Sequence, residues 1–322
     1  MKATVEKRVY RNNWLAFLQQ KKFTVFKSNL PLLILSLPAV GLLFAMNYLP
    51  LYGLQLAFKK WTVTEGITGS SFIGLKNFEF FFNSIYFWRI TRNTIGYNLI
   101  FISVLLVTSI IVALLLNEIR NRALLKYYQT TMVFAQFLSF VIVAFMVYAF
   151  LSPRYGIINC LLVSIGFDRI NWYGNPKYWP FILIFINTWK HLGYFSLIYY
   201  AGIMGIDYTY YEAAIIDGAS KFQRIRKITI PLIKPYIILL LMLQIGKIFY
   251  SDFGLFYQVP RNIGLLLPAT DVIDYYVFRA LREINNIEMA SAAGFYQSIM
   301  GFILVLSANL IIKKLSPEDS II

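Results

Sequence analysis

The chain contains little charge and almost no cysteine or histidine. Only 14% of its 322 residues are Asp, Glu, Lys or Arg, whereas a soluble domain has about 25%. This scarcity of charge excludes a soluble enzyme, because so few charged side chains cannot cover long apolar segments. A single Cys160 and a single His191 exclude a disulfide framework and a His/Cys metal cluster, since both need several such residues.

Apolar residues make up 58% of the chain and are concentrated in long runs. A helix needs about 20 mainly apolar residues to cross the hydrocarbon core, because each residue advances it by about 1.5 Å. Six stretches meet this requirement, so the sequence predicts an all-α integral membrane protein with six transmembrane helices. The predicted spans are residues 31–50, 94–116, 129–151, 180–204, 236–257 and 288–312.

The distribution of Lys and Arg predicts the orientation of these spans. The net charge is +15, but the basic residues flank the spans instead of forming one face, so nucleic-acid binding is not expected. The segments on the side of the termini contain 17 Lys and Arg, and the loops 51–93, 152–179 and 258–287 contain 11. The positive-inside rule therefore places both termini in the cytoplasm.

Residues 1–30 form a basic amphipathic segment before the first span. Aromatic residues such as Trp14 alternate there with basic residues such as Lys21, which favours a short helix lying on anionic membrane lipids. A flexible basic tail is the alternative. Because the basic leader is long and five more spans follow, the first span is predicted to remain uncleaved. Residues 313–322 are predicted to form a short polar cytoplasmic tail.

The predicted cytoplasmic loop at residues 209–235 contains two signals for the start of a helix. Thr209 and Glu212 have the spacing of a capping box, in which each side chain bonds the backbone N–H of the other residue. Ser220 and Gln223 have the same spacing. The loop is therefore predicted to contain two short helices.

Turn signals in the same loop predict where these helices end. Gly218 can adopt the left-handed conformation that ends a helix, so the first helix should end near Ile216. The second helix should cover about residues 221–229 and stop at Pro231, which lacks a backbone N–H. Such a surface helix pair can lie in a groove of another protein, so the loop is predicted to be a docking element.

This loop resembles the EAA motif of bacterial binding-protein-dependent ABC importer permeases. The family pattern is E-A-A-x-x-D-G-A, followed after about eleven residues by I-x-L-P-x-x-x-P. Two positions depart conservatively, since Ile225 stands where the family often has an aromatic residue and Ile230 where it has Leu. The matching residues are Glu212, Ala213, Ala214, Asp217, Gly218, Ala219, Ile228, Pro231 and Pro235.

The resemblance implies a type I ABC importer permease fold, with the transmembrane core at residues 90–312 and a preceding first span and outer loop at residues 31–89. It implies that the loop seats in a cytoplasmic ABC ATPase dimer. The chain has no G-x-x-x-x-G-K-[ST] motif, so ATP and Mg²⁺ are expected in that partner, with no cofactor, metal or catalytic residue in this chain. The implied coupling residues are Glu212, Ala213, Ala214, Asp217, Gly218, Ala219 and Pro231.

Shorter motifs at residues 49–53, 72–78 and 92–94 look like the carbohydrate-uptake branch of these permeases, in particular LplB-like members. The resemblance implies import of a sugar or oligosaccharide, with a peptide or another polar solute as the alternative. It also implies an extracellular solute-binding protein, lipid-anchored or periplasmic. A second, related permease subunit is expected as well, with a homodimer as the alternative.

Polar residues inside the predicted fourth and fifth spans indicate a translocation path. Ionisable residues inside a membrane are costly and usually face the bundle interior or a pathway. Hydrogen bonding between helices is the alternative explanation for each of them. The predicted path residues are Asn187, Lys190, His191 and Tyr194 in span four and Gln244, Lys247, Tyr250 and Ser251 in span five.

Two other classes of protein compete with this interpretation. An ion-coupled secondary transporter would use intramembrane groups such as Asp252, but it gives the EAA loop no role. A membrane enzyme would need a carboxylate cluster or a metal site, and the close pair Asp271 and Asp274 is expected to lie with Arg279 and Glu283 on a solvated face. The sequence therefore favours a non-catalytic permease subunit of the bacterial cell membrane, and the family resemblance implies that it works by ATP-driven alternating access.

Overall fold

The computed structural model describes residues 29–315, and most of this part is helical. Its strands form one two-stranded antiparallel sheet, β1 (Lys59–Lys60) with β2 (Ser71–Phe72), in which Lys59 pairs with Phe72. The chain divides into two compact units, residues 1–55 and 56–322. Residues 1–28 of the predicted amphipathic segment and residues 316–322 of the predicted tail lie outside the described part.

The α-helices are numbered in chain order, beginning with α1 at residues 29–43. Short π-helical segments lie at Phe44–Tyr48, Ile225–Thr229 and Gly254–Gln258, and 3-10 segments at Leu49–Phe58, Pro176–Tyr178 and Gly264–Leu266. The remaining α-helices are α2 (Gly66–Gly69), α3 (Lys76–Phe82), α4 (Ile85–Asn117), α5 (Arg122–Phe137), α6 (Phe140–Leu151), α7 (Ile157–Ser164), α8 (Trp179–Met204), α9 (Thr209–Ile216), α10 (Lys221–Arg224), α11 (Ile230–Leu232), α12 (Lys234–Ile245), α13 (Leu267–Thr270), α14 (Ile273–Arg282) and α15 (Ile287–Leu315).

Four helical stretches are long and apolar enough to cross a membrane, and they coincide with the first, second, fourth and sixth predicted spans. Two bent helix pairs also pass the test of length and composition, so the described residues contain four spans, or up to six if each bent pair counts as one. The bends are 102° between α5 and α6 and 59° between Lys221–Leu232 and α12. The four long stretches are Asn29–Phe58, Ile85–Asn117, Pro176–Met204 and Ile287–Leu310.

The predicted third span, residues 129–151, is wrong as an unbroken helix. Helix α5 ends at Phe137, and α6 begins at Phe140 after a sharp bend. Ser139 starts the new helix, because its hydroxyl accepts the N–H of Ile142 at 3.3 Å. The prediction followed the apolar run, which continues through the break and so conceals it.

The predicted fifth span, residues 236–257, is also wrong as one continuous helix. Helix α12 ends at Ile245, and the chain runs through turns before the π-helical segment Gly254–Gln258. The predicted path residues Lys247, Tyr250 and Ser251 therefore lie on irregular backbone and not on a helix face. Irregular backbone is tolerated at membrane depth only where its polar groups find partners within the protein.

The core is formed where α4, α8 and the segment after α12 meet. The buried Tyr97 of α4 packs its ring 5.0 Å from that of Phe256, and Trp179 and Leu183 of α8 belong to the same buried cluster. Helix α8 also lies close against α5, because Gly193 has no side chain: a Cβ atom there would fall 2.3 Å from the backbone of Met132. This close approach places the middle of α8 beside the break between α5 and α6.

Candidate coupling loop and transport path

Helix α9 starts the predicted coupling loop, and its N-terminus is held by Asp207. The backbone N–H of Thr209 donates to the Asp207 carboxylate at 3.0 Å. This hydrogen bond lowers the pKa of Asp207 from its usual 3.8. The predicted capping box of Thr209 and Glu212 is wrong. Thr209 is the first residue of the helix and not the residue before it, and no side-chain capping hydrogen bond of the box forms at this end of α9.

The end of α9 confirms the predicted turn at Gly218. The N–H of Gly218 donates to the carbonyl of Ile215 at 3.0 Å, and the N–H of Ala219 donates to the carbonyl of Ala214 at 2.8 Å. These two bonds form a Schellman motif, which requires a left-handed residue, and Gly218 has φ +74°. The first helix ends at Ile216, as predicted.

The second capping box is confirmed, but the predicted stop at Pro231 is not. Ser220 and Gln223 exchange their bonds, with the Ser220 N–H donating to the Gln223 side chain at 2.7 Å. The helical path then continues through the π-helical segment Ile225–Thr229 and through Pro231 to Leu232. The π-helical turn changes the hydrogen-bonding register before the proline, so the break falls at Ile233 instead.

The coupling loop is exposed but tied to the rest of the fold. The hydroxyls of Tyr211 and Thr229 lie 2.8 Å apart and join α9 to the second helical stretch. At the surface, Lys221 pairs with Glu118, just after α4, at 2.7 Å. Between the two arms lies a hollow of about 360 Å³ lined by Ala214, Asp217, Gly218, Ala219, Gln223, Arg224, Lys227 and Ile228.

Four of the seven predicted coupling residues, Ala214, Asp217, Gly218 and Ala219, line this hollow. Glu212, Ala213, Asp217, Gly218 and Pro231 are exposed, and Ala214 and Ala219 are partly buried. Large apolar side chains accompany them, since Ile216 is 85% exposed and Phe222 is 71% exposed. An exposed apolar surface of this kind, rimmed by polar residues, is typical of a protein interaction site.

Two of the predicted path residues on α8 contact the break between α5 and α6. Lys190 is 5% exposed and donates to the carbonyls of Gln136 at 3.1 Å, Ala135 at 3.4 Å and Leu138. The Ala135 carbonyl also accepts the N–H of Leu138 at 3.3 Å, whereas the Gln136 and Leu138 carbonyls lose their helical partners where α5 ends, and a cation there also suits the helix dipole. His191 Nδ1 lies 2.8 Å from the side-chain oxygen of Gln136. Lys190 thus fixes the geometry of the break.

The predicted path residues after α12 lie in the unwound segment, residues 246–252. Lys247 and Tyr250 are exposed. The buried Ser251 hydroxyl has no hydrogen-bond partner within residues 29–315, and Gln244 is partly buried at the end of α12. Asp252, whose partner the sequence left open, accepts the N–H groups of Gly254 at 2.8 Å and Leu255 at 3.3 Å.

The two predicted path sets remain separate in the part of the chain that the structure describes. On α8, Asn187 is 7% exposed, whereas Tyr194 is 50% exposed. Between residues 29 and 315, no hydrogen bond or ion pair joins the α8 set to the set at 244–251. The α8 set reaches the α5–α6 break through Lys190 and His191, whereas the other set lies at the unwound segment and the end of α12.

Sequence reasoning missed the polar side chains that hold the unwound segment. Asn98 of α4 donates to the carbonyls of Ile248 at 2.9 Å and Tyr250 at 3.1 Å. Gln297 of α15 donates to the carbonyl of Phe249 at 2.8 Å, and Asp274 accepts the N–H of Ser251 at 2.6 Å. Asn98 and Gln297 are amides in apolar spans, and that position in the sequence was the available signal.

The predicted solvated face at Asp271 is wrong. Asp271 is fully buried and pairs with Arg89 at 2.6 Å and with Arg279 at 2.8 Å. Burial raises the pKa of the Asp271 carboxyl, and the two guanidinium groups oppose that shift. Asn93 adds a donor to the Asp271 carbonyl at 3.0 Å, so this cluster fastens the segment before α14 onto α4.

A family model described as "Binding-protein-dependent transport system inner membrane component" matches residues 106–317. The matched range includes the break between α5 and α6, the coupling loop and the unwound segment at residues 246–252. It covers more than half of the chain.

Curated relatives extend the similarity over nearly the whole chain. Polygalacturonan/rhamnogalacturonan transport system permease protein YteP of Bacillus subtilis (strain 168) is 32% identical over 98% of this chain and 95% of its own length. Protein LplB of the same organism is 29% identical over 95% of this chain and 93% of its own length. The trehalose/maltose permease MalF of Thermococcus litoralis is 31% identical over 88% of this chain and 92% of its own length.

Solved structures show the same fold. A chain from a bacterial ABC transporter involved in the import of the acidic polysaccharide alginate has a TM-score of 0.83 and 31% identity, covering 92% of this chain and 99% of that chain. A chain from the alginate transporter in complex with an alginate pentasaccharide-bound periplasmic protein has a TM-score of 0.82 and 31% identity. The multi-pass chain described above therefore belongs to the family of inner membrane components of binding-protein-dependent transport systems, the permease subunits of ABC importers.

Proposed function

We propose that this chain is the permease subunit of an ATP-driven importer that moves oligosaccharides across the bacterial cell membrane. The observation that carries the proposal is the exposed helix pair α9–α10 with its Schellman turn at Gly218. This pair displays apolar side chains on the predicted cytoplasmic side, where a cytoplasmic ATPase dimer would bind them. The chain itself would hydrolyse no ATP, and ATP and Mg²⁺ would bind in that dimer.

The proposed substrate class and outer partner rest on the relatives. Three of the relatives described above carry names or titles that refer to polygalacturonan and rhamnogalacturonan, to trehalose and maltose, and to alginate, all carbohydrates. A periplasmic protein carrying an alginate pentasaccharide is bound to one of the solved transporters. By analogy, an extracellular solute-binding protein would deliver an oligosaccharide to this chain, which would work beside a second, related permease subunit.

The proposed path through the chain follows the break between α5 and α6 and the unwound segment at residues 246–252. Non-helical backbone in a span exposes polar groups that can contact a solute where the backbone lines a cavity. Lys190 would hold the first break, and the exposed side chains of Lys247 and Tyr250 would be available beside the unwound segment at residues 246–252, where the Ser251 hydroxyl is buried. The remaining path residues of the proposal are Asn187, His191, Tyr194 and Gln244.

The test is affinity purification of the tagged chain from mild detergent, with identification of co-purifying proteins and an assay of ATP hydrolysis. The wild-type chain should bring down an ATPase and a second permease. Gly218→Arg should lose the ATPase, because the new side chain disturbs the turn and stands on the docking surface. An ATPase retained at wild-type level by Gly218→Arg would contradict the coupling role.

Gly166→Arg is the matched control for this experiment. Gly166 also has positive φ, +88°, and a Cβ atom at either glycine meets nothing within 4 Å. Both substitutions therefore carry the same kind of backbone cost, but Gly166 lies in a predicted outer loop. Gly166→Arg should keep the ATPase. If the wild-type chain purifies without any ATPase and transports solute with an ion gradient alone, the secondary-transporter alternative is correct.

A further inference from the structure

A small pocket lies between helix α6 and the turn that follows the π-helical segment Gly254–Gln258. Its volume is about 190 Å³, below the roughly 300–1,000 Å³ of sites for drug-sized ligands. The pocket therefore suits one ring of a longer molecule. Its lining includes Val141 and Phe145 from α6 and Tyr257, Gln258, Arg261 and Asn262 from the turn.

The backbone of this turn places an arginine where a glycine is usual. The N–H of Arg261 donates to the carbonyl of Gln258 at 3.0 Å, and the N–H of Asn262 donates to that of Tyr257 at 3.2 Å. This is a Schellman pattern, and its left-handed position holds Arg261, with φ +60°.

Two comparable turns in the described part of the chain use glycine at this position. The same pair of bonds ends α7 at Gly166 and α9 at Gly218, which have φ +88° and +74°. An arginine side chain makes the left-handed conformation unfavourable, and such local strain is found mainly where a side chain serves a function. The choice of arginine over glycine thus indicates that the side chain of residue 261 is needed.

Among residues 29–315, the guanidinium of Arg261 has no acidic partner. Its central carbon lies 4.0 Å from the centroid of the Tyr148 ring, and no carboxylate within residues 29–315 forms an ion pair with it. Stacking occupies a face of the guanidinium, whereas its N–H groups lie in the plane and stay available to an anion. Glu283 is close by, but it accepts a hydrogen bond from Asn262 at 3.0 Å.

The rest of the pocket suits a sugar ring. Tyr257 is partly buried, and its ring is fixed by stacking on Phe253 at 4.8 Å. The side-chain amide of Gln258 makes no hydrogen bond to another described residue and can bond hydroxyl groups. Asn262 is held by Glu283 and by the hydroxyl of Tyr275, so the turn is rigid.

We propose that this pocket is a subsite for a carboxylate-bearing sugar ring, a uronic acid unit, at the predicted outer end of the path. Arg261 binds the carboxylate, and Tyr257 and Phe145 contact the ring. The inference rests on the proposed function, because it assigns the chemical class of the imported oligosaccharide. The occupant is assigned as acidic because the in-plane N–H groups of this guanidinium form no ion pair within residues 29–315 and match the geometry of a carboxylate.

The experiment compares uptake of labelled trigalacturonate and of its neutral methyl ester by cells whose only copy of the chain is wild type, Arg261→Gly or Arg261→Lys. Glycine is the favoured residue at this turn, so Arg261→Gly keeps the backbone and removes only the side chain. Uptake of trigalacturonate should fall at least about tenfold, the effect of losing one charge-assisted hydrogen bond. Uptake of the ester should change less than twofold, and Arg261→Lys should lie between.

Arg154→Gly is the matched control. Arg154 is also exposed in a predicted outer loop and lies 5.3 Å from the Tyr155 ring centroid, but it does not line the pocket. This variant should transport both probes like the wild type. Equal losses of both probes, or no loss, in Arg261→Gly would overturn the subsite while leaving the importer intact. A wild-type chain that takes up neither these probes nor neutral oligosaccharides would instead contradict the proposed function.

Discussion

The ammonium group of Lys190 lies 3.1 Å from the carbonyl oxygen of Gln136, on the opposite side of a helix crossing. This contact joins the middle of α8 to the end of α5 and explains how a 102° bend persists in an apolar stretch. Without Lys190, the Gln136 and Leu138 carbonyls would have no donor in an apolar region. The Phe140 ring lies 4.8 Å from the ammonium group and covers one side of it.

Lys190→Met should destabilise the protein while keeping the apolar volume of the side chain. We expect a loss of about 1–3 kcal/mol, because buried carbonyls are left without a donor. The measurement is the thermal unfolding temperature in detergent. Lys247→Met is the control, since Lys247 is exposed and makes no side-chain hydrogen bond within the described residues. Equal unfolding temperatures for the two variants would show that Lys190 does not hold the break.

Asp271→Asn should be among the most damaging single substitutions in this chain. It leaves the guanidinium groups of Arg89 and Arg279 without a counter-charge in a buried position, which costs about 3–5 kcal/mol. Asp168→Asn, at an exposed aspartate, should stay within about 0.5 kcal/mol of the wild type. Both are measured as unfolding temperatures.

The double variant Asp271→Asn with Arg89→Gln separates charge pairing from packing. Removing one cation together with the carboxylate should recover part of the stability lost by Asp271→Asn, because less charge is left unpaired. A double variant that loses the sum of the two single effects would contradict the pairing.

Asn98→Leu should loosen the unwound segment at residues 246–252. The variant removes the donor to the carbonyls of Ile248 and Tyr250, so we expect a loss of about 1–3 kcal/mol. A cysteine placed at Tyr250 should then react faster with a water-soluble thiol reagent. Ser103→Ala is the control in the same helix, since the Ser103 hydroxyl bonds only the Leu99 carbonyl, at 2.8 Å. Unchanged reactivity in Asn98→Leu would mean that other contacts fix the segment.

The coupling loop was predictable to the extent that its signals are local. The turn at Gly218 and the box of Ser220 with Gln223 involve residues a few positions apart, and both are present. The start of α9 was predicted wrongly because Asp207 and Thr209 are both good capping residues. Which of them caps the helix depends on the path of the chain between the end of α8 and the start of α9.

The helix breaks and the buried ion pairs depend on contacts that are distant in sequence. Asp271 pairs with Arg89, which lies 182 positions earlier in the sequence. Without knowledge of that contact, the charged residues close to Asp271 in the sequence suggested an exposed surface. The unwound segment is held by Asn98, 150 positions before Ile248. Hydropathy identifies the apolar segments that can cross the membrane. It cannot identify positions at which a side-chain amide from a distant part of the sequence bonds backbone carbonyls in place of helical N–H groups.

Asp274→Asn should change how stability depends on pH. Asp274 lies on α14, outside the candidate spans, and burial raises the pKa of its carboxyl above the usual 3.8. The folded state therefore holds the proton more tightly than the unfolded state. The stabilisation that protonation provides is complete below the unfolded pKa and is lost as the pH rises through the folded pKa.

The asparagine variant cannot titrate, and its side-chain oxygen can still accept from Ser251, whose N–H lies 2.6 Å from the native carboxylate. The unfolding temperature of the variant relative to the wild type should therefore rise from about pH 4 upward and level off above the folded pKa. Paired thermal scans between about pH 4 and pH 8 measure this difference. A difference that falls with rising pH would mean that the bonds from Ser251 and Gln297 outweigh burial and lower the pKa of Asp274, because a lowered pKa gives stability that increases as the carboxylate ionises.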